Sequence, residues 1–472
     1  MLEEAEILSM QPEPVKVSQD PSKRGGAKEV LAISLPMVIS LSFDSLMTFI
    51  DRLFLSKIGS EQMSASLAGG LASFLMNTFF IGLIGYATAM VAQNIGSGKP
   101  RRASQILSHA VGLSLLSYPL ILLLRPLAYH MFDSFKIDPR QLEPQLAYFD
   151  ILVYGSVIGL VRHSFSSFFS GIGETRVVMI ASFVGLVTNT ILNYMLIFGH
   201  GGFPAMGIQG AAIGTISASG ASLLVLVIHY YSKSIRERFH SAMSMRFDIS
   251  LVKEFLRKGT PSGVEMLLNL LAFQLIILMF HGTGLVNAAA ATIMFNWDML
   301  TFIPLLGLEI ATTSLVGRYA GAKDYASAER STWTSIKLGW VFSIFVTIAF
   351  FLIPEVLVNV FKPDPMDAIF PEAFPIAVTM IRIASAYIMI ESAMVGFAGA
   401  LRGAGDTFWT MVIMVCLHWV IVMMLWLSTH VLHLGPIQSW IVLVVGFMLF
   451  PLVLWLRWRT GKWKTMVVEP GF

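Results

Sequence analysis

The chain has 472 residues, of which 13% are Asp, Glu, Lys or Arg and 55% are hydrophobic, with a mean hydropathy of +0.72. A soluble domain carries about 25% charged residues, so these proportions exclude a soluble globular protein. The net charge of +3 gives no electrostatic case for nucleic acid, and the single cysteine, Cys416, excludes an intramolecular disulfide and a cysteine-based metal cage.

Residues 1–29 are polar, hold Pro12, Pro14 and the pair Lys23-Arg24, and lack the apolar core of a signal peptide. They read as a disordered cytoplasmic tail. Continuous apolar runs then follow at 30–56, 62–95, 103–128, 145–170, 175–199 and 207–232. A basic stretch at 233–251 separates them from six more, at 252–281, 286–317, 328–355, 371–401, 407–432 and 437–457. A bilayer-spanning helix needs about 20 residues, and barrel strands would alternate over roughly ten. The pattern predicts an all-α integral membrane protein of twelve spans. They divide into an N-terminal lobe (30–232), a cytoplasmic linker (233–251), a C-terminal lobe (252–457) and a cytoplasmic tail (458–472). With the N-terminus inside, 23 of the 32 Lys and Arg fall on the inner side, six on the outer side and three within spans. The excess of basic residues on one side sets the orientation, with both termini cytoplasmic.

A shift of 225 residues lays one half on the other. Pro36 falls on Pro261, Gly59 on Gly284, Gly82 on Gly307, Thr88 on Thr313, Val91 on Val316 and Gly96 on Gly321. After an insertion of seven residues, Gly171-Ile-Gly-Glu-Thr175 falls on Gly403-Ala-Gly-Asp-Thr407. Six spans per half make the repeat parallel, a pattern of transporters that alternate access around a central site. Pro36 and Pro261 lie at equivalent places in the first and seventh spans and are expected to bend them.

These motifs resemble the multidrug and toxic compound extrusion (MATE) transporters, of the bacterial NorM- and DinF-like kind, over residues 30–455. The resemblance is carried by Phe49-Ile-Asp-Arg-Leu-Phe-Leu-Ser-Lys-Ile-Gly59, by Gly171-Ile-Gly-Glu-Thr-Arg176 leading into Asn189-Thr-Ile-Leu-Asn-Tyr194, by Leu315-Val-Gly-Arg-Tyr-Ala-Gly321 and by Ala400-Leu-Arg-Gly-Ala-Gly-Asp-Thr407. It implies two pseudo-symmetric six-helix lobes around a central cavity. It also implies a secondary antiporter in the bacterial inner membrane, exporting organic, cationic drugs or toxic compounds against sodium ions or protons. The expected partners are small organic cations and the lipid bilayer, with no nucleic acid, and the protein is expected to be a monomer. A lipid-linked oligosaccharide flippase of the same superfamily is the alternative; it calls for a cationic cavity and often fourteen spans. No nucleophile–base set or His-Glu-x-x-His cluster argues for an enzyme, and no cofactor beyond the coupling ion is expected.

An ionised side chain inside a bilayer is costly and usually faces a cavity. Asp51 stands where the family keeps its first-span aspartate, and Asn189 and Asn193 occupy the matching fifth-span places. The two amides are four residues apart, on one helix face, and with Asp51 supply oxygen ligands for sodium, a hard cation. The second-half equivalents are Ile276, Ile421 and Leu425. Glu391 matches the tenth-span acid of the family, whereas the seventh-span glutamate is replaced by Asn269, with Glu265 one turn earlier. Asp44 is the repeat mate of Asn269. Trp297 precedes Asp298, which is eleven residues before Glu309, so the two acids share a face. Asp51, Asn189, Asn193, Glu265 and Glu391 are therefore expected to couple the ion, and Asp44, Asn269, Trp297, Asp298 and Glu309 to line the substrate cavity. Glu265, Glu391 and Asp298 are expected to converge, with Arg162, Lys337 and Arg382 as candidate counter-ions.

Overall fold

The computed structural model describes residues 23–134, 139–239, 248–362 and 369–466. Residues 1–22 of the expected N-terminal tail, 240–247 of the linker and 467–472 of the C-terminal tail lie outside the described residues. Among the described residues, twelve helical segments are long and apolar enough to cross a membrane.

The first half contains α1 (Ala27–Ser56), α2 (Ser60–Gly85), α3 (Ala87–Gly96), α4 (Pro100–Ser134), α5 (Pro139–Ile172), α6 (Thr175–Phe198) and α7 (Ile208–Tyr230). A short helix, α8 (Lys233–Phe239), follows. The second half contains α9 (Ile249–His281), α10 (Leu285–Gly321), α11 (Tyr325–Leu352), α12 (Pro354–Asn359), α13 (Phe370–Ala404), α14 (Thr407–Trp426), α15 (Pro436–Phe447) and α16 (Leu449–Arg459). The second span is broken at Tyr86 into α2 and α3, and the twelfth at Met448 into α15 and α16. The helices run through Pro36 and Pro261 without a break.

Helix is the only open-chain structure that satisfies its own backbone in lipid. Large apolar side chains therefore stay on the surface, as at Leu116 (69% exposed) and Leu123 (76%). The ends are set by local chemistry. Asp248 caps α9 by accepting from the backbone N–H groups of Ser250 and Leu251 at 2.9 and 3.3 Å. Gly199 and Gly405 close α6 and α13 in the left-handed conformation, at φ 76° and 95°.

Each half packs as one six-span lobe, and the packing repeats. The pairs α1 on α6, α2 on α5 and α4 on α5 recur as α9 on α14, α10 on α13 and α11 on α13. The lobes meet through α2 on α9, its repeat mate α10 on α1, and α3 on α10. Glycine permits these approaches. A Cβ on Gly82 would come within 2.8 Å of Gly263 Cα, and one on Gly307 would meet Val38, the repeat mate of Gly263. Gly259 and Gly263 form a small-xxx-small pair around Pro261 that lets α9 close on α2.

The tightest inter-lobe contacts lie at the end that carries the chain termini. Gln93 donates from Nε2 to the Gly403 carbonyl at 2.6 Å. Arg318, its repeat mate, donates from Nη2 to the Ile172 carbonyl at 2.9 Å. Gly96 abuts the Arg318 carbonyl and Gly321 abuts the Gln93 carbonyl, while Gly317 faces its own mate Ala92. The Gly96–Arg318 contact thus reappears between the repeat mates Gly321 and Gln93 with the lobes exchanged, as two-fold symmetry requires, and the Arg318 bond falls one residue from the mate of the Gln93 bond. Glu29 adds an acceptor for the Tyr319 hydroxyl at 2.6 Å.

Candidate functional site

The N-terminal lobe encloses a cavity of about 450 Å3 between α1, α2, α5 and α7. On α5 its lining runs from Tyr148 to His163, about 22 Å at 1.5 Å per residue. Asp51 lines one end. Its side of α1 packs on α6 and α7, so a residue only a few positions from the end of α1 is 5% exposed. Its carboxylate accepts from Asn193 Nδ2 and, at 3.0 Å, from Thr215 Oγ1. Asn193 also donates to Asn189 Oδ1 at 3.2 Å, and Asn189 donates to Thr215 at 3.5 Å. Both asparagines are fully buried. Asn193 Oδ1 is buried without a hydrogen-bond partner, which costs about 1–3 kcal/mol.

Asp51, Asn189 and Asn193 are thus brought together, and Thr215 on α7 completes the group. The sequence reading missed Thr215, because a threonine in a small-residue helix ordinarily bonds the carbonyl one turn back. This one does so too, to Ala211 at 3.1 Å. The donor set suits a hard cation: a carboxylate, two amide oxygens and a hydroxyl, with one oxygen left over. In the other lobe Ile276, Ile421 and Leu425 are buried apolar core. The fold accepts hydrocarbon at these places, so the polar group answers to something other than folding.

At the deeper end of the cavity Arg162 stands 3.7 Å from Asp44. A charged arginine near the middle of a span costs about 2.5–3.5 kcal/mol even on the lenient insertion scale.

The C-terminal acids divide into two separate groups. Glu265 is paired to Arg402 at 2.5 Å, and Arg402 also pairs with Glu309. Glu265 therefore does not join Glu391 in the convergence expected for it. The reason is local: α13 continues helical to Ala404, which carries Arg402 off the expected loop and into the lobe. Of the other expected counter-ions, Arg382 pairs with Glu355 at 2.6 Å and Lys337 is exposed. Asp298 accepts from the Tyr387 hydroxyl. Glu391, one turn beyond Tyr387, is 6% exposed and within electrostatic reach of Asp298, with Oε2 unpartnered. Asp298 and Glu309 do share a face of α10, since both engage α13. Asn269 Oδ1 is buried without a partner. Trp297 donates to the Leu357 carbonyl at 3.2 Å and packs edge-on against Phe361, which ties it to α12 rather than presenting it beside Asp298 to a flat cation. Among the described residues no three His, Cys, Asp or Glu side chains gather as metal ligands.

A duplicated twelve-span bundle, sealed at one end and holding a buried polar site beside a cavity, defines a membrane transporter. The MatE family model matches residues 36–195 and 261–427, one match in each lobe, and the chain belongs to that family. It is 28% identical over 454 residues to the probable multidrug resistance protein NorM of Thermotoga maritima, covering 93% of this chain and 94% of that one. The fold matches a MOP superfamily transporter from Pyrococcus furiosus, with a TM-score of 0.86 at 21% identity over 96% of this chain and 99% of that one. It also matches the outward-facing conformation of a multidrug resistance MATE family transporter, with a TM-score of 0.85 at 21% identity and the same coverage. The protein is accordingly a MATE-family multidrug efflux transporter.

Proposed function

We propose that the protein is a monomeric antiporter of the bacterial inner membrane, with both termini cytoplasmic, that exports organic cations in exchange for sodium ions. The observation that carries this is the Asp51–Asn189–Asn193–Thr215 group. It is buried, polar, present in one lobe only, and left with an unsatisfied oxygen. Sodium entering from the open side would be held by those four side chains and would satisfy Asn193 Oδ1. Its charge cancels that of Asp51 and loosens the hold of Asp51 on Asn193 and Thr215, so α1, α6 and α7 are free to shift against one another. Pro36, fifteen residues before Asp51, is then the place where α1 bends.

Proton coupling is the second reading. A protonated Asp51 loses its charge and gains a donor, and Asn193 Oδ1 is a buried acceptor within the same group. A lipid-linked oligosaccharide flippase is not favoured, because the Thermotoga relative is named for multidrug resistance.

The test is transport by the full chain in proteoliposomes, with sodium and proton gradients imposed separately. The wild type is expected to export a cationic dye against a sodium gradient at fixed pH. Asp51→Asn should fold and bind dye but lose gradient-driven export. Normal export by that variant refutes the site, and export driven only by a proton gradient replaces sodium with the proton.

A further inference from the structure

The residues just before α1 belong in sequence to the N-terminal lobe, yet they pack on the C-terminal lobe. Gly25 is buried against α11. A Cβ there would come within 2.6 Å of the Ser327 carbonyl oxygen and 2.7 Å of Ser331 Oγ, and its φ of 68° lies in the left-handed region. Its N–H is shared between Glu29 Oε2 at 2.9 Å and the Tyr319 hydroxyl at 3.2 Å. That hydroxyl donates in turn to the same Glu29 oxygen at 2.6 Å. Arg330 donates to the Arg24 carbonyl at 3.2 Å, and Arg24 stands 3.6 Å from Asp324. Glu29 lies in the first turn of α1, whereas Tyr319, Asp324, Ser327, Arg330 and Ser331 belong to the other lobe.

The repeat mates do not form this arrangement. Glu254, the mate of Glu29, stands 4.0 Å from Arg102 and 3.9 Å from Lys258, beyond hydrogen-bond distance. Asn94, the mate of Tyr319, turns back to the Met90 carbonyl of its own helix at 2.8 Å. Symmetry of the fold therefore does not require the strap. The C-terminal tail differs in another way: Lys464 pairs with Glu329, and Trp463 packs on Trp458 and Tyr325, all within one lobe. That tail moves with its lobe, whereas residues 24–29 bridge two. Their bonds last only while α10 and α11 stay against α1, and they join polar groups that water can serve once the lobes part. The helix α1 is thereby held by a different lobe at each end. The C-terminal lobe holds it at Glu29 and the N-terminal lobe at Asp51, about 33 Å further along at 1.5 Å per residue. We propose that residues 24–29 are a latch between the lobes, with the Glu29–Tyr319 bond as its catch, and that it must release before the sealed end can open. This goes beyond the export reading and depends on neither the ion nor the substrate.

The experiment follows alkylation of Ser314→Cys by N-ethylmaleimide in the purified full chain, in a Cys416→Ser background. Ser314 is fully buried and donates to the Gly171 carbonyl of the other lobe at 3.3 Å, so the reagent reaches it only when the sealed end opens. Glu29→Ala should speed alkylation at least about 10-fold, the worth of a hydrogen bond to a charged group. Tyr319→Phe removes a single oxygen and should speed it at least about 3-fold; that variant carries the test if Glu29→Ala does not fold. The double variant should react no more than about 2-fold faster than Glu29→Ala, because both substitutions break one bond. Gly25→Ala, which cannot seat against α11, should also react faster. Ser343→Cys is the control. Ser343 is fully buried inside the C-terminal lobe, where it bonds Ser392 at 2.6 Å, and its cysteine should stay unreactive in every variant. Unchanged alkylation of Ser314→Cys in Glu29→Ala and Tyr319→Phe overturns the latch. So does an equal rise at Ser343→Cys, which reports unfolding, or a double variant whose effect is the product of the two singles.

Discussion

Substituting Gly321 by alanine should open the sealed end. A Cβ there would lie 2.8 and 2.9 Å from the Gln93 carbonyl carbon and Cα, and closer still to the carbonyl oxygen. Neither partner is a flexible side-chain tip, so α3 and α10 must separate. Overpacking of this kind costs about 1–3 kcal/mol. It is felt only where the lobes touch, whereas the gain in helix propensity, about 1 kcal/mol, is felt in both conformations and cancels. At 1.4 kcal/mol per decade, the ratio of open to sealed protein rises about 5-fold to about 140-fold. An open form at about 1% would reach about 5% to about 58%. Spin labels at Arg101 and Ala326, exposed repeat mates at the starts of α4 and α11, would report this in a Cys416→Ser background by double electron–electron resonance. A longer-distance population should grow in Gly321→Ala and equally in Gly96→Ala. Gly112→Ala is the control, because its Cβ would meet nothing within 4 Å. An unchanged distance distribution in Gly321→Ala, or an equal shift in the control, would refute the reasoning.

The C-terminal lobe yields two further expectations. Arg402→Met strands Glu265 and Glu309, and unpairing buried charges costs about 3–5 kcal/mol, so the melting temperature in detergent should fall sharply. Adding Glu265→Gln and Glu309→Gln should restore most of it; no recovery would mean that Arg402 acts through packing. Glu391→Gln removes a buried carboxylate for which no basic partner is found among the described residues, so its melting temperature should equal or exceed that of the wild type. If Asp51 alone couples the ion, Glu391→Gln should also retain sodium-dependent export, and loss of that dependence would place a coupling site in the C-terminal lobe.

The twelve spans and their duplication were legible in the sequence because both rest on one-dimensional signals. Lipid selects long apolar runs wherever they occur, and a constant offset survives even when identity is weak. The pairing of Asp51 with Asn189 and Asn193 was legible only through the family resemblance. Asp51 stands where the family that the motifs resemble keeps its first-span aspartate, and Asn189 and Asn193 occupy the fifth-span places that the resemblance pairs with it. Thr215 was not, since a hydroxyl that bonds its own helix gives no sign that it also bonds a carboxylate on another. Nor was the fate of Glu265. Its spacing suggested Glu391, but where Arg402 points depends on how far α13 runs before it turns, and that is set by Gly405 and by packing rather than by the acid itself. The same limit applied to Arg162. The sequence showed a cation inside a span, and only the arrangement of α1 against α5 decided that Asp44 would face it across 3.7 Å and leave it unbonded. Composition and period determine which segments enter the membrane. Which charges meet there depends on angles and distances between helices, and these arise only when the whole bundle has packed.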